Sequence, residues 1–279
     1  MTEGIFEKIV SLRKQGVRLA LATIIARKGA TPRKDTAKML VDEKGVRYGT
    51  IGGGAVEDTV FHEAMKIIQS GSSKIFSFDL TGVDIDENGL VCGGHMEVYV
   101  EPIVPDPILY IFGAGNICKS LSEIADFAGF RIAVADDRIQ YVNKERFPLA
   151  DTFYSASSWN DILEEIKLND HSYVFISTRE HDFDALCMRF ALRSRARYIG
   201  MLGSLKKIEL LKVFLTEQKM DPALFNRISI PVGFDLGAET PEEIAVSIVA
   251  ELIAARKNRN VISMRDAVRS AVAGENNEQ

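Results

Sequence analysis

Glycines and carboxylates fall at chemically suggestive spacing in two places. In the first, Thr50-Ile51-Gly52-Gly53-Gly54-Ala55-Val56-Glu57, three consecutive glycines lead into Val56, Val60, Ala64, Met65 and Ile68 at helical spacing. Such a run carries a backbone entropy cost that a plain reversal does not require. The triplet therefore reads as a helix entrance whose N–H groups face an anion. Glu57, in the first helical turn, reads either as a complement to the helix dipole or as an acceptor for the N–H edge of a ligand. In the second, Gly113-Ala114-Gly115-Asn116 follows the apolar run Ile108 to Phe112, and Asp136 with Arg138 lies about 20 residues further on, where a dinucleotide-binding unit places the acid that meets a ribose hydroxyl. Cys118 stands at the third small position of that fingerprint.

Smaller groups surround these two. Arg33 and Lys34, in the basic stretch RKGATPRKD, read as a solvated turn or as a clamp for an anionic ligand. Cys92-Gly93-Gly94 sets a thiol beside two glycines, which suits either an inert buried cysteine or one that faces a ligand. His181, Asp182 and Asp184 read as a divalent-ion site bridging phosphates, or as a helix cap made by Asp182 beside a loop histidine. Gly203-Ser204 before two lysines, and Glu239 in the loop GFDLGAE, complete the candidates.

The elements that must position these residues follow from periodicity. Residues 4 to 15 form an amphipathic helix with Ile5, Ile9 and Leu12 inward, followed by strands over 19–26, 38–41 and 46–50, the glycine-led helix, and strands over 74–80 and 96–104. Pro105-Asp106-Pro107 is a stiff break, read as a linker between domains at 1–104 and 108–270, with 271–279 a disordered tail. In the second domain strands at 108–112, 131–135, 151–155, 172–178, 198–202 and 228–232 alternate with helices, those at 159–168 and 184–195 among them. The last helix opens with Thr240-Pro241-Glu242-Glu243, a capping box with proline at the first helical position, and turns Ile244, Ile248, Val249, Leu252 and Ile253 inward. The fold class is α/β: an N-terminal α+β domain, then a Rossmann-like, doubly wound parallel sheet. An open parallel sheet takes its ligand outside the carboxyl ends of its strands, and the unusual polar residues gather there.

Composition narrows the partners. A chain of 279 residues with a net charge of −5 and no dense block of Lys and Arg is not built to track nucleic acid. No apolar run reaches membrane-spanning length, which points to a cytoplasmic protein without a membrane partner. Three scattered cysteines without a CxxC argue against a disulfide framework or structural zinc.

The motifs ATPRK with KMLV, GTIGGGAVE, CGG, FGAGN with ADDR, STREHDFDA, YIGMLGSLKK and GFDLGAETPEEIAVSIVAEL span nearly the whole chain, and by them it resembles the XdhC/CoxI family of accessory proteins for xanthine-dehydrogenase-type molybdenum hydroxylases. The resemblance implies an XdhC/CoxI-type domain followed by a Rossmann domain, and a dimeric chaperone without turnover of its own. Such a chaperone binds molybdenum cofactor (molybdopterin), assists its sulfuration with a cysteine desulfurase, and delivers it to an apo molybdenum hydroxylase. Many relatives carry Cys after the three glycines and His after the GxG turn, where this chain has Ala55 and Asn116. Cys92 is left as the candidate thiol. Molybdopterin combines an anionic phosphate arm, a flat pterin and a metal held by its own organic ligand, which fits glycine-rich helix mouths, Glu57 and the absence of protein-metal spacing. The alternative is an NAD(P)-dependent oxidoreductase with His181 as its acid or base, and a nucleotide held in the Rossmann cleft is a third reading.

Overall fold

A computed structural model describes residues 4–29, 37–79 and 94–266. The described residues up to Asp106 form one compact unit, and those from Pro107 form a second.

The first unit begins with helix α1 (Ile5–Lys14), strands β1 (Leu19–Gly29), β2 (Lys38–Asp42) and β3 (Arg47–Gly49), and helix α2 (Gly54–Ser70). It continues with strands β4 (Lys74–Asp79) and β5 (Gly94–Ile103). The five strands make an antiparallel sheet in the order β3-β2-β1-β5-β4. Burial of both faces explains why Leu19 to Ile24 is apolar but for Thr23. Ala20, Ala22 and Ile24 face α2, where they meet Val60, Ala64 and Ile67, whereas Leu19 and Leu21 join Leu12 of α1 on the other face. A register shift between Ile24 and Ala26 interrupts this pattern, and Ile25 is left exposed. Helix α1 ends as expected at Gly16, whose φ of 78° suits a glycine.

The second unit contains β6 (Ile108–Phe112), α3 (Asn116–Phe127), β7 (Arg131–Ala135), β8 (Thr152–Tyr154), α4 (Trp159–Glu165) and β9 (Ser172–Ile176). It closes with α5 (His181–Leu192), β10 (Tyr198–Met201), α6 (Leu205–Glu217), β11 (Ile228–Ser229) and α7 (Pro241–Lys257). The sheet runs β11-β10-β9-β6-β7-β8 and every pair in it is parallel. Chain order reverses between β6 and β9, which makes the ends of those two strands the topological switch point. Side chains alternate between two cores. Leu109, Ile111, Ile132, Val134 and Phe175 meet Leu121 of α3 and Ile248 and Leu252 of α7, while Phe112, Ala135, Ile176 and Met201 meet Ile162, Met188 and Leu211 of α4, α5 and α6.

Some boundaries differ from the sequence reading. α5 begins at His181 rather than at Asp184, because Glu180 and not Asp182 is its N-cap. α4 stops at Glu165, and Ile166 takes an extended conformation that buries it in the core. β11 is only two residues long; Pro231, which has no N–H to donate, lies just beyond it. Ile253 is 37% exposed, since the inward stripe of α7 is Ala245, Ile248, Val249 and Leu252. The capping box is formed: Thr240 Oγ1 accepts from Glu243 N at 3.2 Å and Glu243 Oε2 accepts from Thr240 N at 3.1 Å. Among the described residues no helix is long and apolar enough to cross a membrane.

Candidate functional site

In the first unit the glycine triplet takes positive φ throughout, 136°, 80° and 70° at Gly52, Gly53 and Gly54. A side chain at each would be strained, so the sequence supplies none. The turn closes around one acceptor. Glu57 Oε2 receives Thr50 Oγ1–H at 2.5 Å, Ile51 N–H at 3.1 Å and Gly53 N–H at 3.0 Å, and Thr50 Oγ1 accepts Gly52 N–H at 3.0 Å. Burial pushes the Glu57 carboxyl up, but the hydroxyl and backbone N–H groups outweigh it and hold the group below its ordinary value. Glu57 is thus an internal anion for the nest, a role neither sequence reading foresaw. Helix geometry still leaves the N–H groups of Gly54, Ala55 and Val56 without an intrahelical acceptor. Gly53, Gly54 and Ala55 are exposed, and the space beyond the two glycines is open. Ala55, in the first turn of this 17-residue helix, presents only a methyl group to solvent. Gly94 lies inside the ladder opposite Gly29 and is a strand residue, not part of a helix mouth. Arg33, Lys34, Cys92 and Gly93 lie outside the described residues.

In the second unit the rim at the switch point is built by close backbone packing. Gly113 has a φ of 127°, and a Cβ on it would sit 2.0 Å from the carbonyl oxygen of Ser177, just past β9. Cys118 fits beneath this contact, its Sγ 3.9 Å from the same oxygen. Burial pushes that thiol up to about 12, which makes it a packing residue. Gly115 N-caps α3, and no atom within 4 Å would oppose a side chain there. Arg146, from the loop after β7, reaches this turn, donating from Nε to Ala114 O at 3.0 Å and from Nη2 to Asn116 Oδ1 at 3.1 Å. It brings a cation to a helix N-terminus, and its sequence position gave no hint of that.

Asp136 does not wait for a ribose. It is fully buried, and its two oxygens accept from Ala114 N at 2.8 Å, Arg138 N at 2.9 Å, and Arg138 Nε and Nη2 at 2.8 Å each. Burial raises its carboxyl, while the Arg138 guanidinium and the backbone donors together bring it below the usual range. The expectation that Asp136 reads a ligand therefore gives way to a structural role: with Arg138 it ties the end of β7 to the Gly113–Gly115 turn. The next residue, Asp137, is the one that faces across the rim, and Arg179 Nη2, from the loop after β9, pairs with its Oδ2 at 2.9 Å.

The remaining candidates separate. Asp184 is buried and accepts from Thr178 N at 2.9 Å, Thr178 Oγ1 at 2.8 Å and Lys207 Nζ at 2.5 Å, and Lys207 also donates to Leu202 O at 2.8 Å. That buried pair staples the exits of β9 and β10. His181 and Asp182 are exposed on the first turn of α5, apart from Asp184 in role, and no metal-holding group of three His, Cys, Asp or Glu exists among the described residues. Gly203 packs against Ile230, where a Cβ would meet it at 2.6 Å, and Ser204 Oγ caps α6 by accepting from Lys207 N at 3.4 Å. Glu239 is exposed, and its backbone N–H donates to Glu243 at 2.9 Å. A groove of about 550 Å³ between α4 and α5, lined by Leu163, Leu186 and Phe190, contains none of the rim glycines.

Comparison with known proteins agrees with this architecture. Residues 109–252 match the profile described as the XdhC Rossmann domain, and residues 12–79 match that of the XdhC and CoxI family. The chain is similar to the Uncharacterized protein YqeB of Escherichia coli (strain K12), at 34% identity over 255 residues, covering 91% of this chain and 47% of that protein. It thus spans about half the length of that relative. It is also similar to a protein of Bacillus subtilis (strain 168) described as a probable xanthine dehydrogenase subunit, at 26% identity over 87% of this chain and 94% of that one. A crystal structure described as a xanthine dehydrogenase from Bacillus halodurans superposes with a TM-score of 0.50 at 25% identity, covering 91% of this chain and 96% of the other.

Proposed function

The chain belongs to the XdhC and CoxI family, and from that premise we propose that it assists the maturation of a xanthine-dehydrogenase-type molybdenum hydroxylase by binding molybdenum cofactor. The same proposal covers sulfuration of the cofactor with a cysteine desulfurase, insertion into the apo-hydroxylase, and action as a homodimer in the cytoplasm. The names borne by two relatives, a xanthine dehydrogenase and a probable xanthine dehydrogenase subunit, support the choice of client.

One observation carries the reading: the mouth of α2 is open, exposed and free of Cβ atoms at Gly53 and Gly54, with N–H groups that helix geometry leaves without an intrahelical acceptor beside a carboxylate locked in place. These residues fit the phosphate arm of molybdopterin. Gly54, Ala55 and Val56 would donate to the phosphate. Glu57 keeps the turn in the conformation that presents them. The bound cofactor supplies the metal and dithiolene chemistry, and the chain holds, orients and shields it.

The test is to incubate the purified protein with molybdenum cofactor, separate bound from free, assay retained pterin by fluorescence after oxidation, and measure reconstitution of an apo-hydroxylase. Retained pterin with restored hydroxylase activity is expected. Gly54→Val, which adds a β-branched side chain at a φ of 70°, should lower retention at least tenfold. A protein that retains no pterin and restores no activity rejects the proposal.

A further inference from the structure

Helices α4, α5 and α6 form one layer over the parallel sheet, with α5 between the other two. Each returns from the end of one strand to the start of a parallel one, so the three run side by side in the same direction. Their first turns are level: the Trp159 ring of α4 lies 6.3 Å from that of Phe183 of α5, and Lys207 of α6 bonds Asp184 of α5. Because α4 stops at Glu165 while α5 continues to Leu192, the last turns of α5 have no helical neighbour on that side. The groove of about 550 Å³ opens there. Its α5 wall is a single stripe, Leu186, Arg189, Phe190 and Arg193, at the spacing of one helix face. Leu163, Ile166 and Leu168 line the rest, and the single acid Glu164 stands against two arginines, which leaves an apolar groove with an excess of positive charge.

On the other flank of α5, α6 carries a matching ridge. Leu210 and Val213 are 54% and 58% exposed, and they share one stripe with exposed Glu217 at i, i+3 and i+7. Neither the Glu217 nor the Arg193 side chain has a hydrogen-bond or ion-pair partner among the described residues. Depths along the two helices agree as well. Leu210 and Leu186 each lie five residues past the first residue of their helix, Val213 and Phe190 eight and nine, and Glu217 and Arg193 each twelve. A twofold axis parallel to α5, running between two facing layers, exchanges left and right without sliding the helices along their length. It therefore sets the ridge of each copy over the groove of the other at equal depth, whereas an axis across the helices would lay ridge on ridge.

We propose that a second copy of this chain docks on this layer, the α6 ridge of each copy filling the α4–α5 groove of the other. Leu210 and Val213 of one copy pack on Leu186 and Phe190 of the other, and Glu217 pairs with Arg193. Ridges seated in grooves are the ordinary packing of helices, and an isologous contact of this kind closes at two copies. The homodimer of the proposed function is the premise of this interface, and the measurements below distinguish the failure of one from the failure of the other.

Sedimentation velocity and light scattering on the full-length protein test it. Wild type is expected at twice the chain mass at micromolar concentration. Val213→Asp, at an exposed position, should keep its circular dichroism and raise the dimer dissociation constant at least about tenfold. Glu217→Arg and Arg193→Glu each bring like charges together and should each raise it about tenfold. Mixing these two variants should restore dimers of near wild-type affinity, since each copy then meets the opposite charge on its partner. Such restoration requires two chains, so an effect confined to one chain does not produce it. A dimer that these variants leave intact, or that mixing does not restore, overturns the interface and leaves the homodimer standing. A wild-type protein that stays monomeric well above micromolar concentration overturns both.

Discussion

Replacing Glu57 by glutamine removes the charge at the centre of the TIGGG turn and keeps the shape. Oε2 accepts three hydrogen bonds, from Thr50, Ile51 and Gly53. A net hydrogen bond to a charged group contributes about 1.5–3 kcal/mol, against about 0.5–1.5 kcal/mol for a neutral one. The turn lies at the surface, so the lower ends apply, a difference of about 1 kcal/mol per bond; three bonds sharing one oxygen do not add in full, and the loss should be about 1–3 kcal/mol for Glu57→Gln. Glu57→Ala also strands the N–H of buried Ile51 and should cost about 1 kcal/mol more. The sign with pH follows from the lowered carboxyl. Because the folded group titrates below its unfolded value, its contribution is complete above about pH 4.5 and fades as pH falls through the folded value. The difference between wild type and Glu57→Gln should therefore be full at pH 7 and shrink progressively as the pH falls below about 4.5. Native-state hydrogen exchange at Ile51 and Gly53 reads the turn directly, and about 1.4 kcal/mol corresponds to tenfold faster exchange. A pH-independent difference, or unchanged exchange at both amides in the variant, would refute the reasoning.

Three further outcomes follow from the second unit. Gly113→Ala forces a Cβ onto the Ser177 carbonyl at a φ of 127° and should cost more than about 3 kcal/mol, whereas Gly115→Ala meets nothing within 4 Å and should change stability by about 0.5 kcal/mol or less; urea unfolding followed by Trp159 fluorescence distinguishes them. Lys207→Met leaves Asp184 buried without its cation and should cost about 3–5 kcal/mol, while Lys207→Met with Asp184→Leu should recover most of that loss in the same assay. Burial raises the thiols of Cys118 and Cys187, so a Cys92→Ser protein should show no reactive thiol toward a disulfide reagent at pH 8 until it is unfolded, when two titrate.

The strand, turn and helix of β6 and α3 were legible because each depends on neighbours in sequence: an apolar run, two glycines, a helical repeat. The doubly wound sheet followed from the same alternation. What escaped was decided across the fold. Asp136 and Asp137 are adjacent and chemically identical, and only the third dimension shows that one is consumed by Ala114 and Arg138 while the other meets Arg179. Arg146 joins the turn through a loop some thirty residues away. Helix α6 shows in the sequence only as Leu211 and Leu215 at a spacing of four, and Ser204, a candidate ligand group by its place beside Gly203, caps it. Glu57, whose place in the first helical turn suggests a guest or the helix dipole as its partner, folds back onto its own loop.

The contact between Gly113 and the Ser177 carbonyl has a mechanical side. No side chain cushions it, so the two loops at the switch point cannot slide past each other. Thr178, one residue on, is tied through Asp184 and Lys207 to the carbonyl of Leu202 beyond β10. Pressure on the first turn is thereby passed along three consecutive strand ends, which respond together as a single stiff lip.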